Sequence, residues 1–182
     1  MSSILKVDQI QLSNGNTPTA GDLGLNTTGS VLQVVNGVKT NTTSTNSTGY
    51  VDTGLSATIT PSSSSSKILI QVCVPTLGAS SGHIGYIQLQ RNGTVLTHST
   101  NGALSQANSA TVTVGGQIHP DNNRQNDPFS ISYLDSPSST SATTYKLQFK
   151  SNHSSASIHF GEWNLNNDKA SVSTITLLEI AG

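Results

Sequence analysis

The chain has 182 residues, of which 33% are hydrophobic and only 9% are charged, and its formal net charge is −1. Its eight Lys and Arg residues form no cluster, which excludes the basic patch that nucleic-acid binding requires. No apolar run reaches the roughly 18 to 20 residues that span a bilayer, and the N-terminus has no apolar signal core. We therefore expect synthesis in a cytoplasm and no membrane insertion. Abundant Ser, Thr, Asn and Gly predict almost no α-helix.

Residues 1–30 are the least globular part of the sequence. A short apolar segment is followed by an almost continuous run of turn-forming residues, NGNTPTAGDLGLNTTGS. Such a stretch cannot bury enough apolar surface to fold alone, so we expect another subunit or a larger assembly to hold it. With the predicted strand that follows and its Asn36-Gly37 turn signal, it makes an extended N-terminal arm, residues 1–38. Its apolar contacts are expected from Ile4, Leu5, Val7, Ile10 and Leu12.

The sequence GLSATITPSSSSSKILIQVCV, residues 54–74, predicts two strands joined by a serine-rich loop. Apolar and polar residues alternate on both sides of the loop, which gives each strand one apolar face. Pro61 and the serines interrupt the pairing. Cys73, the only cysteine, is expected to be a small buried hydrophobic residue of the second strand. The polar residues 39–49 are consistent with either a linker or an edge strand.

Further strand patterns follow at a regular spacing of 8–20 residues. Asn92-Gly93 predicts a tight hairpin, and Gly115-Gly116 predicts a bulge or bend. Counting all patterns gives eight or nine strands, and so an all-β antiparallel sandwich or jelly roll over residues 39–182. Few charges protect its edges, so we expect identical subunits to cover them in a closed homotrimer. The later strands are expected at residues 129–133, 145–149, 156–163 and 172–180.

The sequence offers little catalytic or cofactor chemistry. No histidines stand at zinc-ligand spacing, and no phosphate-binding glycine loop or nucleophile elbow occurs, so we predict no cofactor, no metal and no enzyme activity. The loop HPDNNRQNDP could hold a hard cation, although a solvated loop is the simpler interpretation. For a sugar, the candidate contacts are Glu162, Trp163 and Tyr86, because an aromatic ring stacks on a pyranose. A structural role in the core or at an interface is the alternative for each of them.

Three segments resemble the structural and fibre proteins of marine bacteriophages, including those of cyanobacteria. They are SSILKVDQIQ before an Asn-Gly turn, the middle block GSVLQVVNGVKT with TGYVDTGLSATITPSSSSSKILIQV, and the closing STITLLEIAG. The similarity extends over most of the chain and is weakest between Cys73 and Tyr145.

The resemblance implies a virion protein whose C-terminal domain is similar to the trimeric jelly roll of tumour necrosis factor-like proteins. We expect a fibre or spike that attaches through its arm to a tail adaptor, a tail hub or the capsid. Its tip would contact a host cell-surface glycan. A capsid decoration protein that stabilises the head lattice is the alternative, and a glycan depolymerase is a third. The family motif carries no catalytic residues.

Overall fold

The computed structural model describes residues 9–18, 21–24, 28–79, 82–99, 111–118, 126–162 and 170–182. These residues contain strands and turns but no helix, and hence no helix that could cross a membrane. The strands are β1 (Val31–Lys39), β2 (Thr43–Thr45), β3 (Val51–Ile59), β4 (Lys67–Ala79), β5 (Gly85–Arg91), β6 (Thr94–Val95), β7 (Thr97–Ser99), β8 (Thr111–Thr113), β9 (Gly115–Ile118), β10 (Asn126–Asp135), β11 (Thr143–Ser151), β12 (Ile158–Phe160) and β13 (Ser173–Ile180).

Two antiparallel sheets pack against each other, as the alternating sequence predicts. The first sheet has the order β1-β13-β4-β12-β2, with β10 on the other side of β4. The second has the order β3-β11-β5-β6, and β9 also pairs with β5. β7 and β8 form a separate two-stranded ribbon. The main pairs are nested: β1 pairs with β13, β3 with β11, β4 with β10, and β5 with β9.

The core lies between the two sheets and follows the predicted period of two. In β3, β4, β11 and β13, buried and more exposed residues alternate along most of each strand. Phe149 and Phe160 meet edge to face across the core, with ring centroids 6.0 Å apart. The largest buried side chains are Tyr145, Phe149, Phe160, Leu55, Ile59, Ile68, Ile70, Leu77, Leu89, Leu147, Ile158 and Ile175.

The hairpin prediction at Asn92-Gly93 is confirmed, whereas the turn signal at Asn36-Gly37 is wrong. Asn92 and Gly93 have φ of 48° and 83°, the two positive values that a type I′ turn requires. Asn36 and Gly37 lie inside β1 and pair with β13 without interruption. The predicted bend near Gly115 occurs one residue earlier, at Val114, between β8 and β9.

Gly37 is needed in β1 for a close approach and not for a turn. A Cβ there would lie 2.1 Å from the carbonyl oxygen of Ser56 in β3 and 2.8 Å from Cγ2 of Ile175. The first strand therefore passes against the backbone of the second sheet, and only a residue without a side chain fits.

We predict that Gly37→Ala lowers the free energy of unfolding by about 1–3 kcal/mol, because β1 must move away from β3. Gly49→Ala is the matched control, since a Cβ there meets its nearest atom at 3.6 Å. Its effect should stay within about 0.5 kcal/mol. Urea unfolding followed by tryptophan fluorescence measures both. Equal effects of the two substitutions would contradict the close approach.

The structure corrects the assignment of residues 31–38 to the arm. β1 is hydrogen-bonded along its length to β13 and belongs to the first sheet. Beyond its start, Gly29 donates its backbone N–H to the Ala181 carbonyl, and Ala181 donates to the Ser30 carbonyl, both at 2.8 Å. The sandwich thus begins near residue 29, and the arm expectation now concerns residues 1–28. Within the polar residues 39–49, β2 lies at the edge of the first sheet, which agrees with the edge-strand alternative predicted for this stretch.

The predicted burial of Cys73 is also wrong, because its side chain is exposed. Cys73 lies in β4 between two buried residues, Val72 and Val74. Alternation along the strand therefore turns its thiol to the outer face of the first sheet. The apolar run ILIQVCV holds two residue sets, and Cys73 belongs to the outer one with Leu69 and Gln71.

An ion pair between a buried aspartate and a half-buried arginine joins the two sheets at one end of the sandwich. Asp135 ends β10 of the first sheet, and Arg91 ends β5 of the second. Nη1 of Arg91 donates to both carboxylate oxygens of Asp135, at 2.9 and 2.8 Å, and the hydroxyl of Tyr145 donates to Oδ2 at 2.7 Å. Burial, and then the hydrogen bond to Asp135, raise the pKa of Tyr145 above its ordinary value.

A second polar cluster fastens the serine-rich loop to the last strand. The buried carboxylate of Glu179 in β13 accepts hydrogen bonds from the backbone N–H and the hydroxyl of Ser62, both at 2.7 Å. Nε2 of Gln33 in β1 donates to the other carboxylate oxygen and to the Thr60 carbonyl. Burial alone would raise the pKa of Glu179, but the hydrogen bonds from Gln33 and Ser62 outweigh it and lower the pKa to about 2.

Candidate binding surfaces

The outer face of the second sheet carries two tyrosines on either side of a lysine. Lys150 lies in the central strand β11, Tyr86 is its direct partner in β5, and Tyr50 precedes β3 on the other side. Nζ of Lys150 lies 4.8 Å from the ring centroid of Tyr50 and 5.2 Å from that of Tyr86. All three side chains are half-buried. We call Tyr50, Lys150 and Tyr86 the tyrosine–lysine row.

A hydrogen-bonded polar row lies next to it on the same face. Nε2 of Gln88 donates to Oε1 of Gln148 at 2.9 Å, and Nε2 of Gln148 donates to Oδ1 of Asp52 at 2.6 Å. Nζ of Lys146 donates to Oδ2 of Asp52 at 2.9 Å. These bonds from Gln148 and Lys146 lower the pKa of Asp52 below its ordinary value, so the carboxylate is charged near neutral pH.

The tyrosine–lysine row and the polar row together offer the chemistry that recognises a polyhydroxylated ring. Aromatic faces stack on apolar ring faces, whereas amides and carboxylates bond to hydroxyl groups. Burial, and then the neighbouring Tyr86, raise the pKa of Tyr50, so its phenol stays neutral near pH 7. Tyr86 was a candidate from the sequence; Tyr50 and Lys150 were not, because strand pairing across residues 50, 86 and 150 cannot be read from a single chain segment.

The structure does not bring Glu162, another predicted sugar contact, to this face. Glu162 follows β12 of the first sheet, is only 2% exposed, and places Oε2 at 2.6 Å from Nδ1 of His159. It also forms an isolated bridge with Ala170. A carboxylate so enclosed cannot contact a ligand on the outer face of the second sheet. Trp163 lies outside the described residues.

The arm residues are only partly described. Ile4, Leu5 and Val7 lie outside the described residues. Ile10 is 51% exposed, and Leu12 is half-buried. The backbone carbonyl of Leu12 accepts from Gly15, which has a positive φ of 82°, in the Asn-Gly turn that the sequence predicts. Attachment through this segment remains a prediction.

The outer face of the first sheet carries a continuous line of aliphatic side chains, which we call the aliphatic row. Val34 pairs with Leu178, Leu178 with Leu69, and Leu69 with Leu134, across four adjacent strands. Directly paired residues share one face of a sheet, so their side chains adjoin. At the two ends of the row, Val34 is 59% exposed and Leu134 is 49% exposed.

The aliphatic row lies close to the point where the chain enters the sandwich from the arm. Val31, also exposed, pairs with Ile180 one step away from the row. Immediately before Val31, residues 29 and 30 are bonded to Ala181. The exposed aliphatic surface and the start of the sandwich therefore share one end of the first sheet.

Among the described residues, no group of three or more His, Cys, Asp or Glu side chains could hold a metal ion. The cation alternative at HPDNNRQNDP concerns residues 119–128, of which 119–125 lie outside the described part of the chain. His83 and His153 do meet, with ring centroids 5.6 Å apart, at the end of the second sheet nearest Tyr86.

Comparison with known proteins gives no relative: the sequence matches no protein-family model and no curated protein.

Proposed function

We propose that the protein is a structural component of a bacteriophage virion, a trimeric fibre or spike that is attached through its N-terminal arm and contacts the host surface. The observation that carries the proposal is the exposed aliphatic row beside the entry of the arm. A continuous row of valine and leucine on the outer face of a sheet, exposed at both ends, is costly in water and is typical of a surface that another protein covers. The resemblance of three sequence segments to marine phage proteins indicates which assembly it serves.

Two of these segments, the middle block and the closing one, share a physical role in the structure. Gln33 belongs to the middle block, Ser62 to its serine run, and Glu179 to the closing segment, and the three side chains meet at one carboxylate. The residues that carry the resemblance therefore include those that fasten β1, the serine loop and β13 together. This supports a shared fold with the phage proteins rather than a chance similarity of composition.

We also propose that the sandwich is a jelly roll of the tumour necrosis factor-like kind. The first strand pairs with the last, and each inner strand pairs with its counterpart in turn. This nested pattern results when one long antiparallel ribbon folds over on itself. Two four-stranded sheets with Greek-key connections follow from that arrangement. β2, β6, β7, β8 and β12 are short additions to it.

The proposed occupant of the aliphatic row is a second copy of this chain. Among the outward-facing positions paired across β1, β13, β4 and β10 from Lys67 to Cys73, Lys67 is the only charged residue; Glu179 and Asp135, in the same strands, are buried. When identical copies meet, any charge on the shared face lies near the same charge on the neighbouring copy and repels it. This face carries almost no charge, so identical copies would meet there with almost no such repulsion. A three-fold axis closes such a contact into a trimer, and closure prevents further growth.

Leu134→Asp should convert the trimer to a monomer without unfolding it. The side chain is exposed on the outer strand β10, so its replacement costs the monomer little, whereas a buried carboxylate is costly in an interface. Native mass spectrometry and sedimentation measure the change. The control is Ser56→Asp, which places the same charge on an exposed position of β3 in the second sheet, away from the aliphatic row, and should leave the trimer intact.

Cys73 provides an independent probe of the same face. It lies on the outer face of β4, two rows from Leu69. Its thiol should react slowly with a bulky maleimide in the wild-type trimer and quickly in Leu134→Asp. A wild-type monomer whose Cys73 reacts at the rate of a free thiol would sink the trimer proposal.

Location on the particle separates the fibre from the alternatives. Cryo-electron microscopy of intact virions should show three-fold density projecting from the tail or a vertex. Density of many copies spread over the capsid lattice would instead assign the protein as a decoration protein. Release of reducing ends from host polysaccharide, abolished by Glu162→Gln, would favour a depolymerase.

A further inference from the structure

We propose that the tyrosine–lysine row and the adjoining polar row bind an acidic oligosaccharide. The proposal names a ligand class and a surface for the host contact, and in that sense it rests on the attachment role proposed above. It does not involve the arm, the aliphatic row or the first sheet. The binding surface is formed by Tyr50, Lys150 and Tyr86 together with Asp52 and Gln148.

The spacing of the two rings suits more than one sugar unit. Tyr50 and Tyr86 stand on either side of the strand that carries Lys150. Because neighbouring strands lie about 4.8 Å apart, the two tyrosine positions are separated by roughly 10 Å across the sheet. This separation is about the length of a disaccharide, so each ring can stack on one of two successive sugars.

The lysine between the rings points to a negatively charged ligand. Lys146 is neutralised by Asp52, at 2.9 Å. Within the part of the chain that the structure describes, Lys150 has ring contacts but no carboxylate partner. Contact with the ring faces orients the ammonium group without cancelling its charge. Lys150 can therefore donate a charge-assisted hydrogen bond to the carboxylate of a uronic or sialic acid.

The polar row supplies partners for sugar hydroxyls in a fixed arrangement. The side chain of Asp52 is 54% exposed and is held by Gln148 and Lys146, so its orientation is set before a ligand arrives. A carboxylate has about four acceptor positions, and two hydrogen bonds leave others open. Preorganised acceptors lose little side-chain entropy on binding.

The test measures binding affinity by isothermal titration calorimetry of the purified wild-type protein. Three acidic probes are used: tetragalacturonic acid, sialyllactose and a heparin-derived tetrasaccharide. Cellotetraose is the neutral comparison. We expect at least one acidic probe to bind, and Lys150→Gln to weaken that binding about tenfold or more. Tyr50→Ala and Tyr86→Ala should each weaken it about three- to tenfold. Tyr86→Phe, which keeps the ring, should bind within about twofold of wild type.

Lys67→Gln is the matched control, because it removes the same charge from the opposite sheet and should leave the affinity unchanged. Thermal unfolding of each variant shows whether it is folded. If an alanine variant does not fold, Lys150→Gln and Tyr86→Phe still test the binding proposal. Failure of all three acidic probes to bind at millimolar concentration would overturn the proposal, as would equal affinity for cellotetraose or an unaffected Lys150→Gln variant. The titration uses isolated protein and is therefore independent of the location on the particle. If the protein binds an acidic probe but is absent from phage particles, the binding proposal stands and the virion role is refuted.

Discussion

Replacing Asp135 by alanine should lower the free energy of unfolding by about 3 kcal/mol or more. The substitution leaves the guanidinium of Arg91 without its carboxylate and the buried hydroxyl of Tyr145 without its acceptor. Removing one partner of a pair in which the other is largely buried costs more than the pair itself contributes, because the remaining charge stays partly desolvated. Arg91 keeps some contact with water, which places the expected loss at the lower end of the range for buried pairs.

Two variants separate the parts of this loss. Tyr145→Phe removes only the hydroxyl and should cost about 1 kcal/mol. Arg91→Met with Asp135→Leu removes both charges and should recover a large part of the loss seen for Asp135→Ala. Urea unfolding curves give all three values. If Asp135→Ala were no worse than Tyr145→Phe, Arg91 would not be part of the clamp between the sheets.

Acid should destabilise the protein through Glu179 in a defined pH interval. The folded-state pKa of about 2 lies below the ordinary value of 4.5, so the folded state binds a proton less readily than the unfolded state. The stabilisation is therefore complete above about pH 4.5 and is lost as the pH falls towards 2. Its upper limit is about 3 kcal/mol, and we expect about 2 kcal/mol after solvent screening.

The matched variant is Glu179→Gln, which keeps the shape of the side chain and cannot titrate. It should be less stable than wild type at pH 7, and the difference between the two proteins should shrink steadily from pH 4.5 to pH 2. Urea unfolding at half-unit pH intervals measures this. A difference that is constant over the interval would mean that Ser62 and Gln33 do not favour the ionised carboxylate.

The alternation of apolar residues was sufficient to predict the fold class. Leu55, Ile59, Tyr145 and Phe149 all face the core as their period of two requires, because one buried face is a local property of a strand. Asn92-Gly93 was also predictable, since a two-residue turn depends only on its own backbone. The close approach at Gly37 and the exposure of Cys73 could not be predicted. The first depends on a strand distant in sequence, and the second on which of two apolar sets in ILIQVCV faces inwards.

The candidate surfaces were even less accessible to sequence reasoning. Tyr86 could be named as an aromatic residue, but its neighbours Tyr50 and Lys150 reach it only through the register of β3, β11 and β5. The aliphatic row likewise combines single residues from four strands. No residue of either row stands out in its own segment of the sequence, because only the strand pairing brings the side chains together on one surface.

The nested pairing also constrains the order in which the protein can fold. Gln33 and Glu179, which bond to each other, are 146 residues apart in the chain. During synthesis, β1 emerges from the ribosome first and must wait, without its hydrogen-bonding partner, until β13 has been made. Contacts of such long sequence separation slow folding. A waiting strand edge rich in valine is a site for premature association between nascent chains. Chains made on one polysome are therefore at greatest risk of pairing wrongly before their last strand is complete.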